Sequence, residues 1–319
     1  MAVLAGIDEA GFGPILGPLV VSSTVFSLPQ NLLKADLWQI LRKSISGRRA
    51  HLAGRLLVAD SKKAYHRKEG IKHLQRTVLS FLEYLGEKPA TLAELLALLC
   101  PDCLERLETY PWHKEPEKYH ITADQADIAI ASNVLKNDLA AKDVKLLEIR
   151  SCCMDVAYYN KMVRNVNNKA NVLFTAVSKL ISDVFRNFGD DDLQIVVDRQ
   201  GGRSRYRSVL QRMFPEADLA ILEETDCHSS YQLQDGGRKM RLHFVVGADD
   251  RFLPVSLASM VCKYIRELMI DSMNRYFIGF CAGLKPTAGY WKDGLRFIED
   301  LKTHIPHLQF DSDLLCRCR

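Results

Sequence analysis

An α/β fold is predicted by three observations. Short apolar runs of strand type alternate with amphipathic helical stretches along the chain. No internal repeat or low-complexity tract interrupts them. The composition is that of an ordinary globular protein, 47% hydrophobic and 26% charged over 319 residues. That length gives a soft prior of about two domains, or one domain carrying insertions.

The elements follow in order. Val3–Ile7 and Leu19–Phe26 read as two strands, because the cluster Gly11, Gly13, Pro14, Gly17 and Pro18 lies between them as a sharp connection. Asn31–Arg42 has helical periodicity, and Arg55–Ala59 is a short apolar run ending at Asp60-Ser61-Lys62-Lys63. Lys68–Tyr84 is a helix with Ile71, Leu74, Val78 and Leu82 on one stripe. From about 86 to 120 the pattern breaks at Pro101, Pro111 and Pro116, with one helix over Ala93–Leu99, so this stretch reads as an inserted segment. Ala123–Leu139 is helical and Lys145–Met154 is a strand. A long helix carries Phe174, Val177, Ile181 and Val184, and the buried strand Leu193–Val197 follows. Ser208–Phe214 is helical, whereas Leu219–Leu222 and Leu242–Val246 are strands. The helices Pro254–Tyr276 and Trp291–Leu301 form a helical carboxy-terminal portion from about 254.

Composition excludes several function classes. Lys+Arg 43 against Asp+Glu 39 leaves a formal charge of only +4, so any polyanion contact must come from local patches. Nine cysteines, an odd number without regular pairing, argue against a disulfide framework and for a reducing cytoplasm. No apolar run reaches the roughly 18 residues needed to span a bilayer. Met1–Ile7 has no basic leader and meets Asp8 and Glu9 at once, unlike a signal peptide.

The residues that carry chemistry are acids at element ends. Asp8 and Glu9 end the first strand, directly before the Gly11-Phe12-Gly13 turn, and Asp198 ends Ile195-Val196-Val197. Acids at strand ends are how an open α/β sheet presents a site, and bare glycine backbone lets a ligand approach closely. Neighbouring strand residues point to opposite faces, so Asp8 and Glu9 share one site only if the strand end twists or one acts from the rim. Glu267 falls on the apolar stripe of its helix with Met260 and Tyr264, and an ion pair with Lys263 four residues earlier is its plain structural role. If the four carboxylates converge, each like-charged pair at about 4 Å repels by roughly 4 kcal/mol at an effective dielectric near 20. Divalent cations resolve that crowding, and oxygen-only ligands favour Mg²⁺ or Mn²⁺. Two such ions are the usual apparatus for in-line phosphodiester cleavage.

The opening Gly6-Ile7-Asp8-Glu9-Ala10-Gly11-x-Gly13-Pro14, followed by Gly17-Pro18, resembles the signature of type 2 ribonucleases H, the HII/HIII group. Asp60-Ser61-Lys62-Lys63, Asn167–Ala176, Val196-Val197-Asp198, Ala258–Glu267 and Gly289-Tyr290 resemble later segments of that family in the same order. The resemblance spans the chain except about 86–120 and 225–240. It implies a ribonuclease H-like mixed β-sheet flanked by helices, here one catalytic domain over 1–319 with a helical insertion. It also implies an endoribonuclease that cuts RNA in RNA–DNA hybrids, or ribonucleotides embedded in duplex DNA, leaving 5′-phosphate and 3′-hydroxyl ends. Asp8, Glu9, Asp198 and Glu267 are then its catalytic and metal-binding acids. Glu267 stands where the HII branch has Asp and is similar to the HIII branch, whose large amino-terminal domain is not expected here.

Phe12 replaces the arginine of the HII Gly-Arg-Gly turn, whose backbone reads the 2′-hydroxyl in that family. Gly11 and Gly13 keep that backbone contact available. By the same resemblance Tyr290 packs on the sugar beside the cut, against a plain alternative of helix-entry packing. Arg199, Arg203, Arg205 and Arg207, beside Asp198, read as phosphate contacts, as do Lys62 and Lys63 with less force. Ser259 and Lys263, one turn apart, are placed to touch the substrate backbone, though Lys263 has its neutralising role as an alternative. Asp249 and Asp250 read as helix caps, with a place near the metals as the lesser alternative. Cys100-x-x-Cys103 has zinc-like spacing without a second such pair, Cys316-x-Cys318 is poorly spaced, and His113 and His120 are its other candidate ligands, so a structural zinc is the lesser reading. Asp155, Asp226 and His228 carry no motif and read as structure or surface. The partner expected is nucleic acid, with no membrane and a monomeric chain. The rival readings are a non-catalytic nucleic-acid binder of the same fold and a related metal nuclease acting on another structured nucleic acid.

Overall fold

The computed structural model describes residues 1–65, 69–199, 201–306 and 310–318. Its strands are β1 (Ala2–Ala10), β2 (Leu19–Leu28), β3 (Ile45–Ser46), β4 (Leu56–Leu57), β5 (Lys145–Met154), β6 (Asp192–Asp198), β7 (Asp218–Glu224), β8 (His228–Asp235) and β9 (Arg238–Val245). The helices are α1 (Leu37–Ile40), α2 (Ser61–Ala64), α3 (Lys72–Tyr84), α4 (Leu92–Leu99), α5 (Leu104–Leu107), α6 (Gln125–Ala140), α7 (Val156–Val166), α8 (Lys169–Phe188), α9 (Arg207–Met213), α10 (Leu253–Phe280), α11 (Trp291–His304) and α12 (Ser312–Leu315). Among the described residues no helix is long and apolar enough to cross a membrane.

Seven strands form a mixed sheet in the order β5-β2-β1-β6-β9-β8-β7. β1 runs antiparallel to β2 and parallel to β6, and β6 runs parallel to β9. The central strands are apolar on both faces because helices cover both. Val3, Ala5 and Ile7 of β1 meet Val177, Ile181 and Val184 of α8 in one cluster. Leu4 and Ala10 join α10 in the other. α10 crosses β1 where Gly6 has no side chain: a Cβ there would stand 2.2 Å from the Val255 nitrogen. The Thr24 hydroxyl of β2 donates to the Pro254 carbonyl at 2.7 Å and fixes the start of the same helix.

The mixed sheet with flanking helices is the predicted class, and several elements differ in detail. Asn31–Arg42 forms only a 3-10 turn and the four-residue α1, because Asp36 caps a new helix start at Trp38 and Gln39. Lys68 lies outside the described residues, and α3 begins at Lys72. α7 and β8 were not anticipated. Residues 86–120 are not a body apart: Leu95, Leu99, Leu107, Tyr110 and Trp112 belong to the same core cluster as α10. Their anchor is a knot of sulfurs. Cys103 Sγ lies 3.8 Å from Cys100 Sγ, both thiols interact with Cys153 of β5, and Cys153 Sγ lies 3.7 Å from Met269 Sδ of α10. Beside it, Arg106 Nε donates to Asp155 Oδ2 at 2.6 Å and the Tyr110 hydroxyl to Asp155 Oδ1 at 2.7 Å.

Candidate active site

The two acid-bearing strand ends are neighbours. β1 and β6 pair in parallel up to Ile7 opposite Val197, which brings Asp8 and Asp198 to adjacent strands at the same level. Asp8 is buried, its Oδ1 accepts the Glu9 amide at 2.7 Å, and its carboxyl also accepts a hydrogen bond from Ser259 of α10. Ser61 Oγ lies 3.1 Å from Ser259 Oγ, and Cys262 Sγ approaches the Asp8 carbonyl at 3.2 Å. Burial, with the charges of Glu9 and Asp198 added, pushes the Asp8 carboxyl well above the ordinary carboxylate range. The Asp60-Ser61 segment thus supports Asp8 through Ser259. Asp60 itself caps α2 by accepting the Lys62 amide at 3.0 Å.

Asp198 is also raised, chiefly by burial, while its Oδ1 accepts the Ala248 amide at 2.7 Å. That amide belongs to the turn after β9, and the same turn brings in Asp249. Burial and the neighbouring charges of Asp198, Asp60 and Asp250 raise Asp249 to about 6. The capping role expected of Asp249 and Asp250 is not found: the residue at the start of α10 is Phe252, with no side-chain cap. Asp250 instead pairs with Lys63. Asp249 is therefore a candidate site acid, which is the lesser of the two places its sequence context offers. Its signal was present in the Val-Val-Gly-Ala-Asp-Asp order, acids just after an apolar strand, as with Asp8 and Asp198.

Glu267 is placed differently. Its Oε1 lies 2.6 Å from Lys263 Nζ and 3.6 Å from Arg266 Nη1, and its charge bears on Tyr65. It is eight residues beyond Ser259, about 12 Å further along the axis at 1.5 Å per residue. It lines a separate cavity with Tyr65, Gln75, Tyr119 and Asp271. Asp8, Glu9, Asp198 and Asp249 fall in one neighbourhood, each feeling another's charge, while Glu267 lies further along α10 beside Arg266, which packs on the Gly11 turn.

The turn after β1 forms the other side. Gly11 has φ of +94°, and a Cβ there would sit 2.5 Å from the Pro18 carbonyl oxygen and 2.9 Å from Arg266 Cδ. The Gly289 carbonyl accepts the Ile15 and Leu16 amides at 2.9 and 3.2 Å, which holds Tyr290 beside the turn. Tyr290 is half exposed, with the Arg266 guanidinium 5.6 Å and the Lys263 ammonium 5.7 Å from its ring centroid. Phe12 is partly exposed, its ring 5.3 Å from Lys169 Nζ.

Several predicted substrate contacts are turned inward. Ser259 is buried and orients Asp8, so it cannot also meet a substrate backbone. Lys263 is buried and committed to Glu267. Arg199 donates to the carbonyls of Arg203 and Asp226, and Arg203 Nη2 donates to Asn171 Oδ1 at 2.6 Å, so both brace their own loop. Arg205, Arg207 and Lys62 remain exposed, and Lys62 is the cation felt by both Asp198 and Asp249.

The donor set fits a hard divalent cation by its chemistry: oxygen donors only, mutually repelling and largely withdrawn from water. Among the described residues no three His, Cys, Asp or Glu side chains already stand in a metal-holding arrangement. The carboxylates would have to close around an ion.

No family model and no curated protein matches the chain. Among solved structures, the chain is similar to one chain of the PCNA:RNase HII complex from Archaeoglobus fulgidus, at 13% identity and a TM-score of 0.45 over 99% of this chain and 94% of that one. It is similar to Aquifex aeolicus RNase H3 at 14% identity and a TM-score of 0.44, over 98% and 71% of the two chains. For the ribonuclease H2 of Pyrococcus horikoshii OT3 the values are 14% and 0.40, over 98% and 92%.

Proposed function

We propose that the chain is a metal-dependent endoribonuclease acting on the RNA strand of RNA–DNA hybrids or on ribonucleotides embedded in duplex DNA. The observation that carries this reading is the convergence of Asp8 and Asp198 at adjacent parallel strand ends, with Glu9 and Asp249 beside them. The ordered motif from Gly6 to Pro14 gives the substrate class. Asp8, Glu9, Asp198 and Asp249 would hold Mg²⁺ or Mn²⁺, and a cation there supplies the positive charge that in-line phosphodiester hydrolysis needs. Ser259 keeps Asp8 oriented, and the Gly11-Phe12-Gly13 backbone with Tyr290 positions the ribose next to the acids. Water attacks phosphorus and the ribose 3′-oxygen leaves with a proton, which gives 5′-phosphate and 3′-hydroxyl ends.

The whole chain is read as one catalytic domain, supported by the shared core of residues 86–120 and α10. Nine free thiols fit a cytoplasmic, reducing setting. The test is cleavage of a labelled RNA–DNA hybrid with Mg²⁺ or Mn²⁺ by wild type and Asp8→Asn. Cutting lost by at least about 100-fold in the variant is expected. Equal cutting by both removes the reading, and metal-independent binding without cutting favours the non-catalytic alternative.

A further inference from the structure

The end of the chain returns to the turn after β1. Cys316 bridges to Leu16, the Arg317 amide donates to the Ile15 carbonyl at 2.8 Å, and Asn160 of α7 clamps the Cys316 carbonyl at 2.8 Å and the Cys318 amide at 2.7 Å. This carries the Arg317 side chain inward until only 6% of the residue is exposed. Its guanidinium lies 5.0 Å from the Tyr159 ring centroid, and Nη2 donates to the Pro14 carbonyl. Nε and Nη1 have no hydrogen-bond partner among the described residues, and the charged groups acting on the guanidinium there are Arg266, Tyr159 and Cys318, with no carboxylate among them. Burial, with Arg266 nearby, pulls Arg317 down to about 9, still cationic at neutral pH.

A buried, unpaired guanidinium is costly unless an acceptor arrives. Arg317 lines a cavity of about 210 Å³ together with Phe12, Tyr159, Lys169 and Trp291. Lys169 is exposed at the first position of the 20-residue α8, where the helix dipole adds to its charge. Two cations and a helix start thus face one small opening with aromatic walls.

We propose that this cavity is a phosphate subsite: Arg317 and Lys169 hold one backbone phosphodiester of a nucleic-acid strand whose neighbouring sugar and base lie against Phe12 and Trp291. Guanidinium geometry suits two phosphate oxygens at once, and aromatic faces accept any base. The opening lies at Phe12 and Gly13, on the same turn that borders the acids, so a strand crossing Asp8 passes over it. The proposal rests on the nuclease reading and extends it to where the strand is gripped.

The test is binding of a labelled RNA–DNA hybrid in EDTA, so that no strand is cut, using the full chain as wild type, Lys169→Ala and Arg317→Ala. Each variant should weaken binding by roughly tenfold, and each should lower the slope of log affinity against log salt by close to one phosphate's share. A scan in which single phosphates are replaced by neutral methylphosphonates locates the contact. One position should weaken wild-type binding and have little further effect in the variants. If Arg317→Ala does not fold, the same scan with Lys169→Ala decides, because Lys169 is at the surface. Inorganic phosphate should displace the hybrid no better than chloride of equal ionic strength. Selective displacement by phosphate would instead mark a free-ion site and overturn the strand assignment. A scan identical in wild type and variants overturns the subsite and leaves the nuclease reading standing. Wild type that binds no hybrid overturns both.

Discussion

Asp249 and Glu267 differ in their neighbours, and that difference gives a test of which acid works with Asp8. Asp249 is raised to about 6 by burial and by the negative charges of Asp198, Asp60 and Asp250. Glu267 is neutralised by Lys263 at 2.6 Å. Asp249→Asn removes a repelling charge, so the metal-free protein at pH 8 should melt about 1–3 °C higher, a modest gain because the group is partly solvated. The same variant should bind Mn²⁺ about tenfold or more weakly, whereas Glu267→Gln should stay within about twofold of wild type. Calorimetric titration of the two variants checks this; an equal loss in both would return Glu267 to the cluster. His113 offers an independent test in the core. It is buried, and burial pulls its imidazole down to about 3, so the fold holds it neutral while the unfolded chain takes up a proton below about 6.5. Wild type should therefore lose stability relative to His113→Gln as pH falls from 6.5 toward 3, by up to about 1.4 kcal/mol per unit, with no such trend above 6.5. Urea unfolding at pH 7 and pH 5 measures the difference. A gap independent of pH would mean that the imidazole is not held neutral.

The contact of α10 with β1 sets the geometry of the acids. Gly6 allows the helix to lie against the strand, and from there Ser259 and Cys262 fall beside Asp8. Gly6→Ala pushes a methyl group into the backbone at Pro254 and Val255 and should cost about 1–3 kcal/mol in urea unfolding. Strongly periodic elements such as β5, α8 and α10 were legible because their pattern directly reports which face is buried. β8 was not, since His228–Asp235 is mostly polar and becomes a strand by pairing with β9. The Gly236-Gly237 turn, with Gly236 at φ of +58°, was its local hairpin signal. The acids at the ends of β1 and β6 were readable for the same reason as the strands. Asp249 was readable only as an alternative to capping, because its place depends on the parallel pairing of β6 with β9, and the sequence does not encode register between separated strands in any local pattern.

For the whole molecule, two distant parts of the chain meet the central sheet near its acids. The segment 86–120 is tied to β5 by its cysteines and to Asp155 by Arg106, and Cys153 of β5 in turn touches Met269 of the helix that carries Ser259. The tail around Arg317 closes against the glycine turn on the other side. Neither role was readable from spacing alone. The net charge of +4 is too small to grip a polyanion by bulk attraction, so the proposed nucleic-acid contact must come from local cations such as Arg205, Arg207 and Lys62. In the proposed function the acids around Asp8 jointly hold a divalent cation. The most direct test is to count bound Mn²⁺ by electron paramagnetic resonance in wild type and Asp8→Asn at neutral pH. Saturable Mn²⁺ binding in wild type, weakened at least about tenfold in the variant, is predicted. Identical Mn²⁺ binding by the two proteins would contradict it.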